Sequence, residues 1–158
     1  MGCVTGGCSL AHRSTLRRLI WASLALELAG LMFDVFWHAL HPEFAAATMT
    51  EMIEHLSSVH LPIYIGVFCV VLTTALALLD QIERSERDAA MPIAFAGALI
   101  SAAGESWHAY THLQLHTHGG PLAASVSFFG FLVVVSALWL SRGHRRRAVD
   151  DIDQRRAA

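Results

Sequence analysis

Four of the histidines in this chain lie close to a carboxylate within an otherwise apolar segment. Ten of the 158 residues are histidine. Asp34 lies four residues before His38, and Glu105 lies three residues before His108. Side chains at these spacings project from the same face of a helix, so each pair can reach a common ligand. Imidazole and carboxylate groups together are typical ligands of iron, copper and zinc, and not of calcium or magnesium.

Helical geometry extends each pair into a narrow polar stripe. At about 100° per residue, the polar residues of each segment fall within a sector of roughly 60°. The first stripe comprises Glu27, Asp34, His38 and His41, and the second comprises Ser101, Glu105, His108 and His112. An ionisable group at the centre of a bilayer costs about 2.5–3.5 kcal/mol on insertion scales. We therefore expect the two stripes to face each other and not the lipid.

The segments that carry these stripes are long enough to cross a membrane. Four apolar runs cover residues 16–40, 56–79, 91–112 and 121–140. A helix of about 20 residues spans the roughly 30 Å of a hydrocarbon core. The chain is 54% hydrophobic and 15% charged, whereas soluble domains are about 25% charged. This pattern predicts an all-α fold, a bundle of four transmembrane helices that forms a single integral membrane domain over 1–158.

The distribution of arginine predicts the orientation of this bundle. The chain contains no lysine, and its arginines precede the first run, separate the second from the third, or follow the fourth. Cytoplasmic loops of membrane proteins are enriched in positive charge. We therefore expect a multi-pass protein of the cell inner membrane, with cytoplasmic tails at about 1–14 and 142–158. We also expect the arginine-rich C-terminal tail after Ser141 to be disordered beyond its first turn.

On this topology, eight histidines lie on the outer side of the membrane. They are His38, His41, His55, His60, His108, His112, His116 and His118. His55 and His60 would be about 140° apart on one continuous helix, so we expect only one of them to join the centre. The predicted metal site, in the outer half of the bilayer, comprises Asp34, His38, Glu105, His108 and His112, completed by His41 and by His55 or His60.

These observations predict a membrane metalloprotein that binds copper or iron, with zinc less favoured. The number of ligands favours a dinuclear centre, and an oxidoreductase would use the metal to activate oxygen or bound water. The alternatives are a protein that handles or transports copper, iron or zinc, a b-type haem protein, and a structural subunit whose polar stripes form a hydrogen-bonded network. We expect the lipid bilayer as a partner, a homo-oligomer or a larger membrane complex as the assembly, and no nucleic acid.

The segment "DVFWH", Asp34 to His38, resembles the Asp-x3-His helix of the copper-binding membrane subunit of methane and ammonia monooxygenases. In that family a histidine on the next helix completes a copper site toward the periplasm. The resemblance implies that His55 or, less well, His60 is the third ligand here. It also implies copper as the metal and oxidative chemistry as the activity. His41 intervenes, and the gap to His55 is longer than in that family.

Overall fold

The protein is entirely helical over the residues that the structure describes. The computed structural model describes residues 5–86, 88–115 and 121–157, and describes side chains between residues 14 and 141 of these ranges. The five helices are α1 (Thr5–Leu40), α2 (Met49–Ser58), α3 (Leu61–Glu83), α4 (Ala90–Leu113) and α5 (Pro121–Ala157). The predicted all-α class is therefore confirmed.

Three long helices have the length and apolar composition of membrane spans. Within the described residues these are Ser14–Leu40, Leu61–Glu83 and Pro121–Ser141. They indicate a membrane protein. α4 has 24 residues, enough to cross a bilayer, but Glu105, Trp107 and His108 lower the hydropathy of its second half. The predicted fourth crossing, by α4, stays a prediction.

The four long helices pack as antiparallel neighbours at very short range. α1 packs on α3, α3 on α4, and α4 on α5. A Cβ atom added to Gly66 would lie 2.5 Å from the backbone of Glu27, and one added to Gly104 would lie 2.3 Å from the backbone nitrogen of Ser127. Small residues at such contacts let helix backbones approach closely in a membrane. The close approach also brings the short side chain of Ser127 into the interior, where it reaches its neighbours.

The interior of the bundle has an apolar half and a polar half. A core of small and aliphatic side chains fills the half that holds the beginning of α1 and the end of α3. Its fully buried members are Leu16, Ile20, Leu24, Val70, Ala77, Ala94, Ala98, Val134, Ala137 and Leu138. Arg17 lies at the end of this core and donates hydrogen bonds to the Leu138 carbonyl (3.2 Å) and to Ser141 Oγ (2.8 Å). The buried ionisable side chains concentrate in the other half.

The apolar run 56–79 contains a break between two helices. α2 ends at Ser58 and α3 begins at Leu61, with Pro62 in its first turn. Proline fits this position because its missing N–H would have no partner there. The short helix α2 lies in the connection between α1 and α3, and Thr48 Oγ1 caps it by accepting a hydrogen bond from the Glu51 amide.

The predicted disorder of the C-terminal tail is wrong, because α5 continues as a helix to Ala157. Arginine, glutamine and alanine are good helix formers, so the tail extends the last turn of the apolar segment.

The close contact of α4 with α5 predicts a large cost for added volume at Gly104. Gly104→Val places side-chain atoms against the backbone of Ser127, which can move away only if the two helices separate. We expect the free energy of unfolding in mixed micelles to fall by about 1–3 kcal/mol or more. Ala103→Val is the matched control, because Ala103 is exposed on the same helix. Equal stability of the two variants would contradict the packing described here.

Candidate metal centre

Five histidines from four parts of the chain meet at one end of the bundle. His38 lies on α1, His55 on α2, His60 at the start of α3, and His108 and His112 on α4. Their ring nitrogens form two groups of three, His38–His55–His60 and His60–His108–His112, and the nitrogens within each group lie within 4.8 Å of one another. Because His60 belongs to both groups, the five rings form a single cluster, called here the histidine cluster.

Two pairs of Nε2 atoms point directly at each other. The His55 and His60 Nε2 atoms are 3.2 Å apart, and the His108 and His112 Nε2 atoms are 3.0 Å apart. A tetrahedral ion with metal–nitrogen distances of about 2.0–2.1 Å would hold its nitrogen ligands about 3.3 Å apart. The spacing of both pairs is close to the spacing that a bound ion requires. Four of the five rings thus already have nitrogen spacings suited to coordination.

Asp34 supplies a negative charge at the edge of this cluster. Its Oδ1 atom lies 3.5 Å from His38 Nε2 and 3.4 Å from His60 Nε2. A carboxylate in this position can bind the same ion as the imidazoles or offset its charge from nearby. Among the described residues, no arginine forms an ion pair with Asp34, so its closest partners are the two histidines.

Aromatic side chains pack against the histidine cluster and shield it. The Trp37 ring lies 5.1 Å from the His38 ring and 4.6 Å from the His55 ring, and Phe44 lies 4.7 Å from His55. Tyr64 stacks on His60 from the α3 side at 6.0 Å. These aromatic contacts were not predicted, because nothing in the sequence shows which of many aromatic residues faces the site.

The structure does not bring His41 into the cluster. The His41 ring is exposed, stacks on Trp37 at 4.4 Å and places Nδ1 2.9 Å from the carbonyl oxygen of the same tryptophan. The predicted sector on α1 includes this residue, but α1 ends at Leu40, so His41 lies just beyond the helix. His116 and His118 lie outside the described residues.

Glu105 is buried one turn deeper than the cluster and belongs to neither group of ring nitrogens. Its carboxyl group hydrogen bonds to Ser127 on α5 and interacts electrostatically with Asp34. Ser127 was not predicted to take part, because the apolar run around it shows no polar face. Its position opposite Gly104 is seen only in the three-dimensional contacts.

The expectation that only one of His55 and His60 joins the centre is wrong. The prediction assumed a continuous helix through both residues, whereas α2 ends at Ser58 and α3 begins at Leu61. The two rings therefore approach the cluster from different helices, and both belong to it.

His55 is in the protonation state that a metal ligand needs. Burial of its ring and, to a smaller extent, the neighbouring His38 lower the pKa of His55 to about 4. The ring is therefore neutral near pH 7, with one nitrogen lone pair available. Only neutral imidazole binds a metal ion, so the buried cluster is prepared for coordination without prior loss of a proton from His55.

Comparison with known proteins gives no relative for this arrangement: no family model, no curated protein and no solved structure matches the chain. The chemistry of the site therefore rests on its own geometry. Five imidazoles and one carboxylate can hold one ion of high coordination number or two ions of lower coordination number.

The lowered pKa of His55 predicts that acid destabilises the metal-free protein. Between the ordinary histidine pKa of 6.5 and about 4, the unfolded chain binds a proton at this residue and the folded chain does not. The stability due to this difference is present above pH 6.5 and is lost as the pH falls toward 4. We expect His55→Gln to reduce the loss of unfolding free energy between pH 7 and pH 5 by on the order of 1–2 kcal/mol.

The measurement is chemical unfolding of chelator-treated protein at several pH values. His41→Gln is the matched control, because this ring is exposed and outside the cluster. An identical pH dependence in wild type and His55→Gln would show that His55 is not held neutral by its surroundings.

Proposed function

We propose that this chain is an inner-membrane metalloprotein, a bundle of four membrane-spanning helices that binds transition-metal ions in the outer half of the bilayer. The proposed ligands are Asp34, His38, His55, His60, His108 and His112. The observation that carries this proposal is the convergence of five histidine rings with Nε2 pairs 3.0–3.2 Å apart. Without an ion, each pair can share only one hydrogen, as an Nε2–H···Nε2 hydrogen bond; with an ion, both nitrogens of a pair become ligands.

Copper and iron fit the ligand set better than the other candidates. A cluster dominated by imidazole suits copper, iron or zinc, and the resemblance of Asp34 and His38 to a copper-binding helix adds weight to copper. Bound copper or iron would supply redox chemistry at this site, which supports an oxidoreductase as the activity.

A dinuclear centre divides the ligands evenly. His60, His108 and His112 form one group of three, and Asp34, His38 and His55 remain for a second ion. Each ion would then have three protein ligands and open positions for a substrate, the arrangement typical of catalytic metal sites.

The arginine distribution and the apolar half support the proposed orientation. With both termini in the cytoplasm, the apolar core occupies the inner half of the bilayer and the histidine cluster the outer half. A metal ion would therefore arrive from outside and stay there, because the apolar core offers it no histidine or carboxylate ligand. This favours a resident centre over a path for transport across the membrane. A metal-handling role, in which the ion returns to an outer partner, remains the alternative.

The geometry gives no support to a haem group. The His60 ring lies 5.4 Å from His108 and 4.8 Å from His112, and His55 lies 5.9 Å from His112. Rings in such contact leave no slot between them for a flat macrocycle. Binding of haem would require α3 and α4 to separate.

Metal content is the first measurement to make. We expect protein purified in mild detergent to carry one or two ions of copper or iron per chain, by elemental mass spectrometry. Because His60 belongs to both groups, His60→Ala should lower metal affinity at least tenfold, as should the double variant His38→Ala/His108→Ala.

His41→Ala is the matched control and should keep its metal. Bound zinc in place of copper or iron would refute the redox role and favour structure or handling. An absence of metal from wild type after reconstitution with copper, iron and zinc salts would refute the proposal, as would equal metal content in all variants. The visible spectrum of the same samples should show no haem absorption.

The proposed topology can be tested with cysteines placed at three exposed positions. Glu51→Cys on α2 and Gln114→Cys after α4 should react with a membrane-impermeant thiol reagent added to intact cells, because both lie on the outer side. Glu86→Cys, between α3 and α4, should react only after the cells are opened. Labelling of Glu86→Cys in intact cells would contradict the orientation, and protection of Gln114→Cys would show that α4 does not cross.

A further inference from the structure

Four polar side chains form a connected chain one to two turns deeper than the histidine cluster. Ser101 Oγ donates a hydrogen bond to Glu27 Oε1 at 2.7 Å, and it lies 3.2 Å from Ser127 Oγ. Ser127 in turn hydrogen bonds to Glu105. The chain thus joins two carboxyl groups through two hydroxyls, with members on α1, α4 and α5.

Both carboxyl groups are buried without a compensating positive charge. Glu27 is 4% exposed and Glu105 is 6% exposed. One oxygen of each, Oε2, is buried without a hydrogen-bond partner in the described part of the chain, and no arginine there pairs with either group. Two ionised carboxylates in this position would repel each other inside a low-dielectric interior. At least one of them must be neutralised.

A count of hydrogens shows how the pair is neutralised. The chain Glu27–Ser101–Ser127–Glu105 contains three oxygen–oxygen contacts, and each contact needs one hydrogen. The two serine hydroxyls supply two. The third must come from a protonated carboxyl group at one end. Neither hydroxyl donates to a backbone carbonyl of its own helix. The hydroxyls of Ser23, Ser106 and Ser125, by contrast, donate to carbonyl oxygens four residues earlier.

A bound cation is a poorer explanation than a proton. The cavity beside the two glutamates has a volume of about 10 Å³, and its other walls are the apolar side chains of Leu28, Leu31, Ile63, Ala124, Phe128 and Phe131, with Ser127. This volume is at the lower limit for one water molecule and leaves no room for a hydrated ion between the two carboxyl groups. Glu105 also lines a larger cavity of about 400 Å³, but Glu27 does not reach it.

We propose that these four side chains form a proton relay that holds one shared proton. In one state Glu105 is protonated and donates to Ser127, which donates to Ser101, which donates to the Glu27 carboxylate. Transfer breaks the Glu105 O–H bond, passes one proton along each of the three contacts, and forms an O–H bond on Glu27. Both hydroxyls then point the other way, and no atom is gained or lost.

The relay ends beside the histidine cluster and stops at the apolar half. Glu105 interacts electrostatically with Asp34 on α1 and with Tyr64 on α3, the titratable groups that face it from those helices. Below Glu27 the interior is lined by Leu24, Val70 and Ala98. The buried hydroxyls there, those of Ser23, Thr73 and Thr74, donate to carbonyl oxygens of their own helices and do not extend the relay. The relay therefore holds a proton that can be exchanged with the histidine cluster, and it is not a path for protons across the membrane. This coupling, unlike the relay itself, rests on the proposed metal centre.

Infrared difference spectroscopy tests the relay on the intact protein in lipid nanodiscs. At neutral pH we expect one carboxylic C=O band per chain that shifts on exchange into D₂O. Glu27→Gln and Glu105→Gln should each alter the band, because the proton is shared. Ser101→Ala should break the relay and leave the proton on one glutamate, so that only one of the two Gln substitutions in this background removes the band.

Ser106→Ala is the matched control on the same helix and should leave the band unchanged. No carboxylic band in wild type, a band of twice the intensity, or a band insensitive to Ser101→Ala would each overturn the relay. Loading with copper or zinc should shift the band in wild type and not in Ser101→Ala. A chain that shows the band and binds no metal would keep the relay and refute the metal centre, whereas metal binding without a shift would refute their coupling.

Discussion

The cost of placing ionisable groups inside hydrocarbon is the constraint on which this structure depends. Every buried charge or lone pair must find a partner within the bundle, because lipid offers none. α1 and α4 carry most of these groups, and the glycines of α3, α4 and α5 bring the helix backbones close enough for short side chains to reach across. One contact therefore serves both packing and chemistry. The close approach of Gly104 to Ser127 packs α4 against α5 and also positions Ser127 beside Glu105.

The sequence predicted the site where helix periodicity holds and failed where it does not. Asp34, His38, His108 and His112 lie within two regular helices, so spacing alone placed them on interior faces at a common depth. His55 and His60 lie on either side of a helix break. Pro62 and tertiary packing determine the direction of the chain at that break. The periodicity of the sequence does not predict this direction. The same limit applies to His41, which follows the last residue of α1.

Glu105 shows a different limit of sequence reasoning. Its spacing to His108 predicts a shared ligand, but spacing does not show which other helix competes for the carboxylate. Ser127 takes it instead, and Ser127 looks like one more small residue in an apolar run. Hydroxyl groups of serine are inconspicuous in membrane helices because they often bond to their own backbone, as Ser125 does. Only the three-dimensional contacts distinguish the serine that bridges helices from the one that does not.

Charge balance connects the two polar layers of the bundle. Asp34 as a carboxylate carries one negative charge, and the relay with its single proton carries one more, from two carboxyl groups. A total charge of +2 at the proposed centre, from one divalent ion or two monovalent copper ions, would bring the sum to zero, which is the least costly state inside a bilayer. One further positive charge at that centre would be balanced by release of the stored proton, and its removal by uptake. A bundle built in this way links the charge of its outer site to a single proton held one turn deeper.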